Sequence, residues 1–212
     1  MRMNDPEIRI RMSRSDTTDT VFLVLHGGRA TSSEPVRATQ LAFRRMLPLA
    51  GAVHRGTAHF GAAVWVLRNR VRGWNDDRLD AVRDARWALD IIGRAHPRAR
   101  VALIGHSMGA RAALRVADAP AVRSVCALAP WTLRTDPVAQ LRDRGLLIVH
   151  GDRDRTTSPA ASQDFARRAR AAGARVERIV ISGSGHAMLR HARSWNEHVR
   201  RFAVEHARGD AR

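Results

Sequence analysis

Five consecutive residues, Gly105, His106, Ser107, Met108 and Gly109, set a serine between two glycines in the pattern G-x-S-x-G. A serine hydroxyl is a weak nucleophile at neutral pH and needs a general base. The base needs a carboxylate to orient it. Downstream, the run 150–159 holds two candidate acids, Asp152 and Asp154. Further on, residues 182–186 end in His186, with His191 as second choice. Upstream, His26, Gly27 and Gly28 form a glycine loop whose backbone N–H groups can face a developing negative charge. This set of residue types suits nucleophilic attack on a carbonyl: hydroxyl, imidazole, carboxylate and paired N–H donors.

The elements that would hold these groups are legible as alternation. Short β-branched runs at 20–25, 62–67, 101–104, 122–128, 146–149 and 175–181 read as strands. Amphipathic stretches at 35–49, 77–95, 107–117, 159–172 and 189–206 read as helices. Leu189, Trp195, Val199 and Phe202 are expected on the sheet side of the last one. Residues 8–12 read as an added edge strand, giving six strands or seven. The expected fold is a three-layer α/β/α sandwich around a mostly parallel sheet.

In such a sheet the reacting groups come from loops at the C-terminal strand ends. Ser107 fits, because its motif links a strand to a helix. The two glycines leave room for a tight turn, and the helix start adds the Met108 N–H as an oxyanion donor. Gly28 is the preferred second donor, with Arg29 next. His26 reads as a buttress of that loop. Asp152 sits at a strand end, where it can tie a turn together, and Asp154 lies further into the loop. The glycines and serines around His186 suggest a mobile turn that presents the imidazole.

Composition narrows the field. A chain of 212 residues with 44% hydrophobic content suits a single domain, residues 1–212, whose segment 1–18 supplies the edge strand. No apolar run reaches the roughly 18 residues of a membrane span, and residues 1–16 lack a hydrophobic leader, so a cytoplasmic protein without membrane insertion is expected. The single cysteine, Cys126, lies in an apolar run and reads as core. The net charge is +17, yet every basic side chain is arginine and the arginines are scattered. That uniformity fits a compositional bias, and no nucleic acid partner is expected. No zinc-ligand spacing and no phosphate loop occur, so neither metal nor cofactor is expected.

From about residue 20 to 206 the chain resembles the α/β-hydrolase superfamily. The likeness rests on HGG at 26–28, GHSMG at 105–109, HGDRDRTTSP at 150–159 and GSGH at 183–186, in that order. Residues 154–162 look most like the monoacylglycerol lipase and lysophospholipase branch. The resemblance implies Ser107 as nucleophile, Asp154 as acid, His186 as base, and Gly28 with Met108 as oxyanion donors. The chain departs from that branch after the strand 122–128. The connection 129–145 is too short for a lid, which resembles dienelactone hydrolase-like enzymes, cutinases and small esterases. The expected activity is hydrolysis of carboxylic esters or thioesters with short to medium acyl chains, through an acyl-enzyme. Arg29 and Trp131 are candidate substrate contacts, whereas Trp65, Trp74, Trp87 and Trp195 read as packing residues. The rival readings are an acyltransferase or acyl-carrier thioesterase with the same triad, a non-catalytic binding module, and a nucleic-acid binder.

Overall fold

The computed structural model describes residues 5–11 and 18–209. Seven strands form one sheet: β1 (Glu7–Arg11), β2 (Thr20–Leu25), β3 (Ala63–Arg68), β4 (Arg100–His106), β5 (Val122–Leu128), β6 (Gly145–Gly151) and β7 (Arg175–Ile181). Their order is β1-β3-β2-β4-β5-β6-β7. All neighbours run parallel except β1, which pairs antiparallel to β3 from Glu7 opposite Arg68 to Arg11 opposite Val64. The last residue foreseen for this edge strand, Met12, lies outside the described residues.

Six helices cover the sheet: α1 (Leu41–Arg44), α2 (Met46–Thr57), α3 (Asp80–Ala95), α4 (Met108–Arg115), α5 (Pro159–Ala171) and α6 (Ala192–Arg208). Strand side chains alternate between faces. Val21, Leu23 and Leu25 of β2 therefore join a core with residues of α3, α4 and α5, including Ala85, Ala113 and Phe165. Phe22 and Val24 join a second core with Met46 and Val53 of α2 and Trp195 and Val199 of α6. Because β2 is buried on both sides, it is apolar without a break from Val21 to Leu25. Fully burying one such side chain contributes about 1.5–3 kcal/mol. Among the described residues no helix is long and apolar enough to cross a membrane.

Three expected elements differ. The stretch 35–49 is not one helix. Pro35 bridges to Val71 and the Val36 N–H donates to Arg70 O, so this segment lies extended against the chain leaving β3. Helix begins only at Leu41 and continues in α2 to Thr57. Pro48 is accommodated because the first-turn N–H groups of α2 have no intrahelical acceptor. The helix expected from 77 starts at Asp80, since Leu79 is left-handed at φ 49°. Leu189 does not face the sheet. It is 71% exposed, and left-handed residues on either side, Met188 (φ 58°) and His191 (φ 59°), delay α6 until Ala192.

Candidate active site

β4 ends at the sheet's C-terminal edge, and α4 starts two residues later. Ser107 makes the turn at φ 56°, ψ −118°, a conformation that costs a non-glycine residue on the order of 1–3 kcal/mol. Three hydrogen bonds hold it there. Its N–H donates to Leu128 O (2.9 Å), and its carbonyl accepts from Arg111 N (3.1 Å) and Trp131 N (3.4 Å). The flanking glycines are needed for backbone approach. A Cβ on Gly105 would lie 2.5 Å from Gly109 O, and one on Gly109 would lie 2.5 Å from Leu25 O and His26 O. The hydroxyl therefore sits above the sheet, on a residue 8% exposed.

The loop after β7 brings His186 to it. His186 Nε2 lies 3.0 Å from Ser107 Oγ, and Nδ1 lies 2.8 Å from Asp154 Oδ2. With the hydrogen on Nδ1 donated to the carboxylate, Nε2 is left to accept from the serine hydroxyl. Between the two glycines of this loop, Ser184 anchors it. Ser184 is fully buried. It accepts from Trp195 Nε1 (2.9 Å) and donates to Arg190 O (3.1 Å), and its carbonyl accepts from Arg153 N (3.0 Å).

The loop after β6 separates the two aspartates. Asp152 is exposed and accepts from Gly183 N (2.7 Å) and Ser182 Oγ (3.2 Å), tying the two loops together. Asp154 is buried and faces His186. Its Oδ1 accepts the Thr156 and Thr157 N–H groups at 2.8 and 2.9 Å, and its Oδ2 also accepts from Thr157 Oγ1 at 2.9 Å. Burial pushes its carboxyl up. Hydrogen bonds from His150, His186 and the Thr157 and Thr156 N–H groups more than offset this and hold it well below the usual carboxylate range. His191 stands at the N-cap of α6, not within the helix.

Gly28 packs tightly against the Met108 side chain and the backbone of Arg72. A Cβ on Gly28 would lie 2.3 Å from Arg72 O and 2.5 Å from Met108 Cε. The Arg29 N–H is already committed to Arg72 O (2.8 Å), so it cannot serve as the alternative donor. Met108 opens α4, where an N–H has no intrahelical acceptor. His26 supports this loop. Its Nε2 accepts from Asn69 N (3.1 Å), so its hydrogen is on Nδ1 and is donated to Gly27 O (2.6 Å). Beside the loop lies a cavity of about 240 Å³, lined by Gly28, Arg29, Val36, Gln40, Leu41 and Ala42.

Trp131 stands on the other side. Its ring and that of Trp74 meet edge to face, 6.1 Å apart, and both contact the Arg111 guanidinium, at 4.5 and 4.4 Å, while Asp136 grips the same guanidinium at 3.0 Å. Trp74 thus joins Trp131 in one cluster, although the sequence showed no difference between it and the other packing tryptophans. The connection 129–145 carries only a turn of 3₁₀ helix (Ala139–Leu141), without a lid.

Two histidines here had no signal in the sequence. His106, the variable residue before the serine, is buried and donates from Nε2 to His186 O (2.9 Å), with the two rings 4.8 Å apart. Burial, reinforced by the nearby His186, pushes its pKa down to about 3, so it acts as a neutral prop. His150 lies against Asp154. Cys126 is buried, and burial pushes its thiol up, away from reactivity. Among the described residues no three His, Cys, Asp or Glu side chains are grouped to hold a metal ion.

Neither a protein-family model nor a curated protein sequence matches the chain. Solved structures do. An α/β serine hydrolase homologue from Coxiella burnetii superposes with a TM-score of 0.68 at 17% identity, covering 95% of this chain and 91% of that one. A serine hydrolase without a lid from Xanthomonas campestris gives 0.66 at 18% identity, covering 95% and 87%. Est1E from Butyrivibrio proteoclasticus, solved with ferulic acid bound, gives 0.68 at 15% identity, covering 94% of each chain. The chain therefore has the α/β-hydrolase fold.

Proposed function

We propose that this chain of α/β-hydrolase fold is a serine hydrolase that cleaves carboxylic esters or thioesters through an acyl-enzyme. The observation that carries the reading is the continuous hydrogen-bonded line from Ser107 through His186 to Asp154, at 3.0 and 2.8 Å. In the first step His186 Nε2 takes the Ser107 proton as Oγ attacks the carbonyl carbon. The Gly28 and Met108 N–H groups receive the oxyanion. One such donor typically contributes about 3 kcal/mol of barrier lowering. Asp154, held ionised, stabilises the imidazolium. His186 then gives its proton to the departing alkoxide or thiolate. Water enters, loses a proton to His186 and attacks the acyl group. The proton returns to Ser107 as the acid leaves.

Short to medium acyl chains fit best. The connection 129–145 forms no lid over the site, and the cavity beside Gly28 measures only about 240 Å³. The test is a series of p-nitrophenyl esters from acetate to palmitate with wild type and Ser107→Ala. Butyrate or hexanoate is expected to be the best substrate, with Ser107→Ala inert and unlabelled by a fluorophosphonate. Hydrolysis undiminished in Ser107→Ala would rule the mechanism out. A preference for palmitate would rule out the chain-length reading alone. The net charge of +17 favours one second reading, an acyl-carrier thioesterase acting on an acidic carrier. Turnover of acyl-carrier thioesters far above that of aryl esters is its signature.

A further inference from the structure

The carboxylate of Asp154 is shared by two histidines. His150, next to last in β6, is fully buried, and its Nε2 lies 3.2 Å from Asp154 Oδ2, the oxygen that also receives His186. Its other nitrogen, Nδ1, lies 2.9 Å from Ser162 Oγ in α5, and that hydroxyl is 2.9 Å from Pro159 O. Thr157 Oγ1 approaches the same Nε2 at 3.3 Å.

Counting hydrogens fixes the direction of this contact. A bare nitrogen lone pair facing a carboxylate oxygen is repulsive. Thr157 has a single hydroxyl hydrogen, and Ala129 O (3.2 Å) and Asp154 Oδ2 (2.9 Å) already compete for it. The hydrogen between ring and carboxylate therefore belongs to His150 Nε2. Ser162 completes the far side for either charge state of the ring. It donates to Nδ1 when the ring is neutral. When the ring is charged, it accepts from Nδ1–H and donates to Pro159 O.

We propose that His150 is a positioning residue for the reaction assigned above, donating from Nε2 to Asp154 so that the carboxylate stays aimed at His186 with its charge divided between two imidazoles. This inference rests on that proposed function. Its hydrogen bond heads those that hold the Asp154 carboxyl down against burial. Dividing the charge also limits how strongly Asp154 retains the proton on His186. Removing the second donor concentrates the charge on His186, and the acid limb of kcat/KM moves to higher pH. The other ionisable groups around the pair are His106 at the end of β4, Arg45 before α2, whose field reaches His106, and Arg178 of β7, which donates to Pro159 O.

The test uses the full chain carrying ¹⁵N-labelled histidine, with His150→Gln and His150→Leu. Long-range ¹H–¹⁵N spectra of the wild type should show His150 Nε2 protonated. With p-nitrophenyl butyrate, His150→Leu should lower kcat on the order of tenfold, the effect of losing one charge-assisted hydrogen bond. KM should hold and the acid limb should rise. His150→Gln, which keeps an N–H donor, should recover most of the rate. An unprotonated Nε2 overturns the inference, and so does a folded leucine variant with wild-type kcat and pH profile. If the leucine variant does not fold, the wild-type spectrum and the rate and acid limb of His150→Gln decide it. An active wild type with indifferent His150 variants overturns this inference alone. A Ser107 that neither hydrolyses esters nor takes a fluorophosphonate overturns the proposed function as well.

Discussion

Three buried histidines should make this protein acid-labile well above the pH at which carboxylates protonate. His26, His106 and His206 are each 1–2% exposed. Burial pushes them down to about 4, about 3 and about 4, with Arg100 and Arg123 adding to the effect at His206. In the unfolded chain each titrates near 6.5. Between those values the unfolded state binds a proton that the folded state refuses, so stability rises with pH through the window and falls as pH drops. At pH 5 a group that titrates at about 4 folded and about 6.5 unfolded contributes about 2 kcal/mol less stability than at pH 8. The three together give about 6 kcal/mol, which is comparable with the whole stability of an ordinary domain. Asp154 works in the same direction, but only below its unfolded value near 4, so it stays out of this window. Urea unfolding followed by tryptophan fluorescence at pH 8, 6.5 and 5 measures the difference. His206→Leu should shrink the change between pH 8 and 5 by about 2 kcal/mol, because any constant packing penalty cancels in that difference. A wild-type change under about 1 kcal/mol would show that these rings are hydrated or charged in the folded state, and the reasoning would fail.

Gly28→Ala should force its loop away from Arg72 O and Met108. The expected result is a kcat loss of about 10²-fold with a nearly unchanged KM, and wild-type kcat would remove Gly28 from the oxyanion site. Asp136→Ala leaves the buried Arg111 without its carboxylate and should lower the unfolding free energy by about 3–5 kcal/mol; a loss below about 1 kcal/mol contradicts the burial of that pair. Asp154→Asn should reduce kcat about 10⁴-fold, whereas Asp152→Ala, which only frees Gly183 N and Ser182 Oγ, should reduce it less than about tenfold. Equal losses from the two would show that the aspartates do not divide their tasks in this way.

Local pattern reached a long way into this fold. The strands 122–128 and 175–181 fall where their β-branched runs place them, because such side chains suit extended backbone, although Arg123 of β5 and Arg175, Glu177 and Val180 of the edge strand β7 are exposed. The serine turn was legible too, since close approach of β4, α4 and β2 demands glycine at 105 and 109 whatever surrounds them. Periodicity failed where the partner was distant. Residues 35–36 gave up helix to pair with 70–71, and Leu189 turned outward between two left-handed residues. The site was legible only in outline. Ser107, Asp154 and His186 could be named as candidates, but residue types alone did not separate Asp152 from Asp154. That distinction came from the direction in which the β6 loop turns each carboxylate. His106 and the Arg111–Asp136 pair left no trace in spacing, because their partners lie far along the chain, on another strand end or across a loop; His150 is only four residues from Asp154, but the turn that folds the carboxylate back onto its ring has no period to reveal it. Helix and strand periods record which face of an element is dry. Which polar atom meets which across a sheet edge is settled only when the chain closes and every buried donor has to find its acceptor.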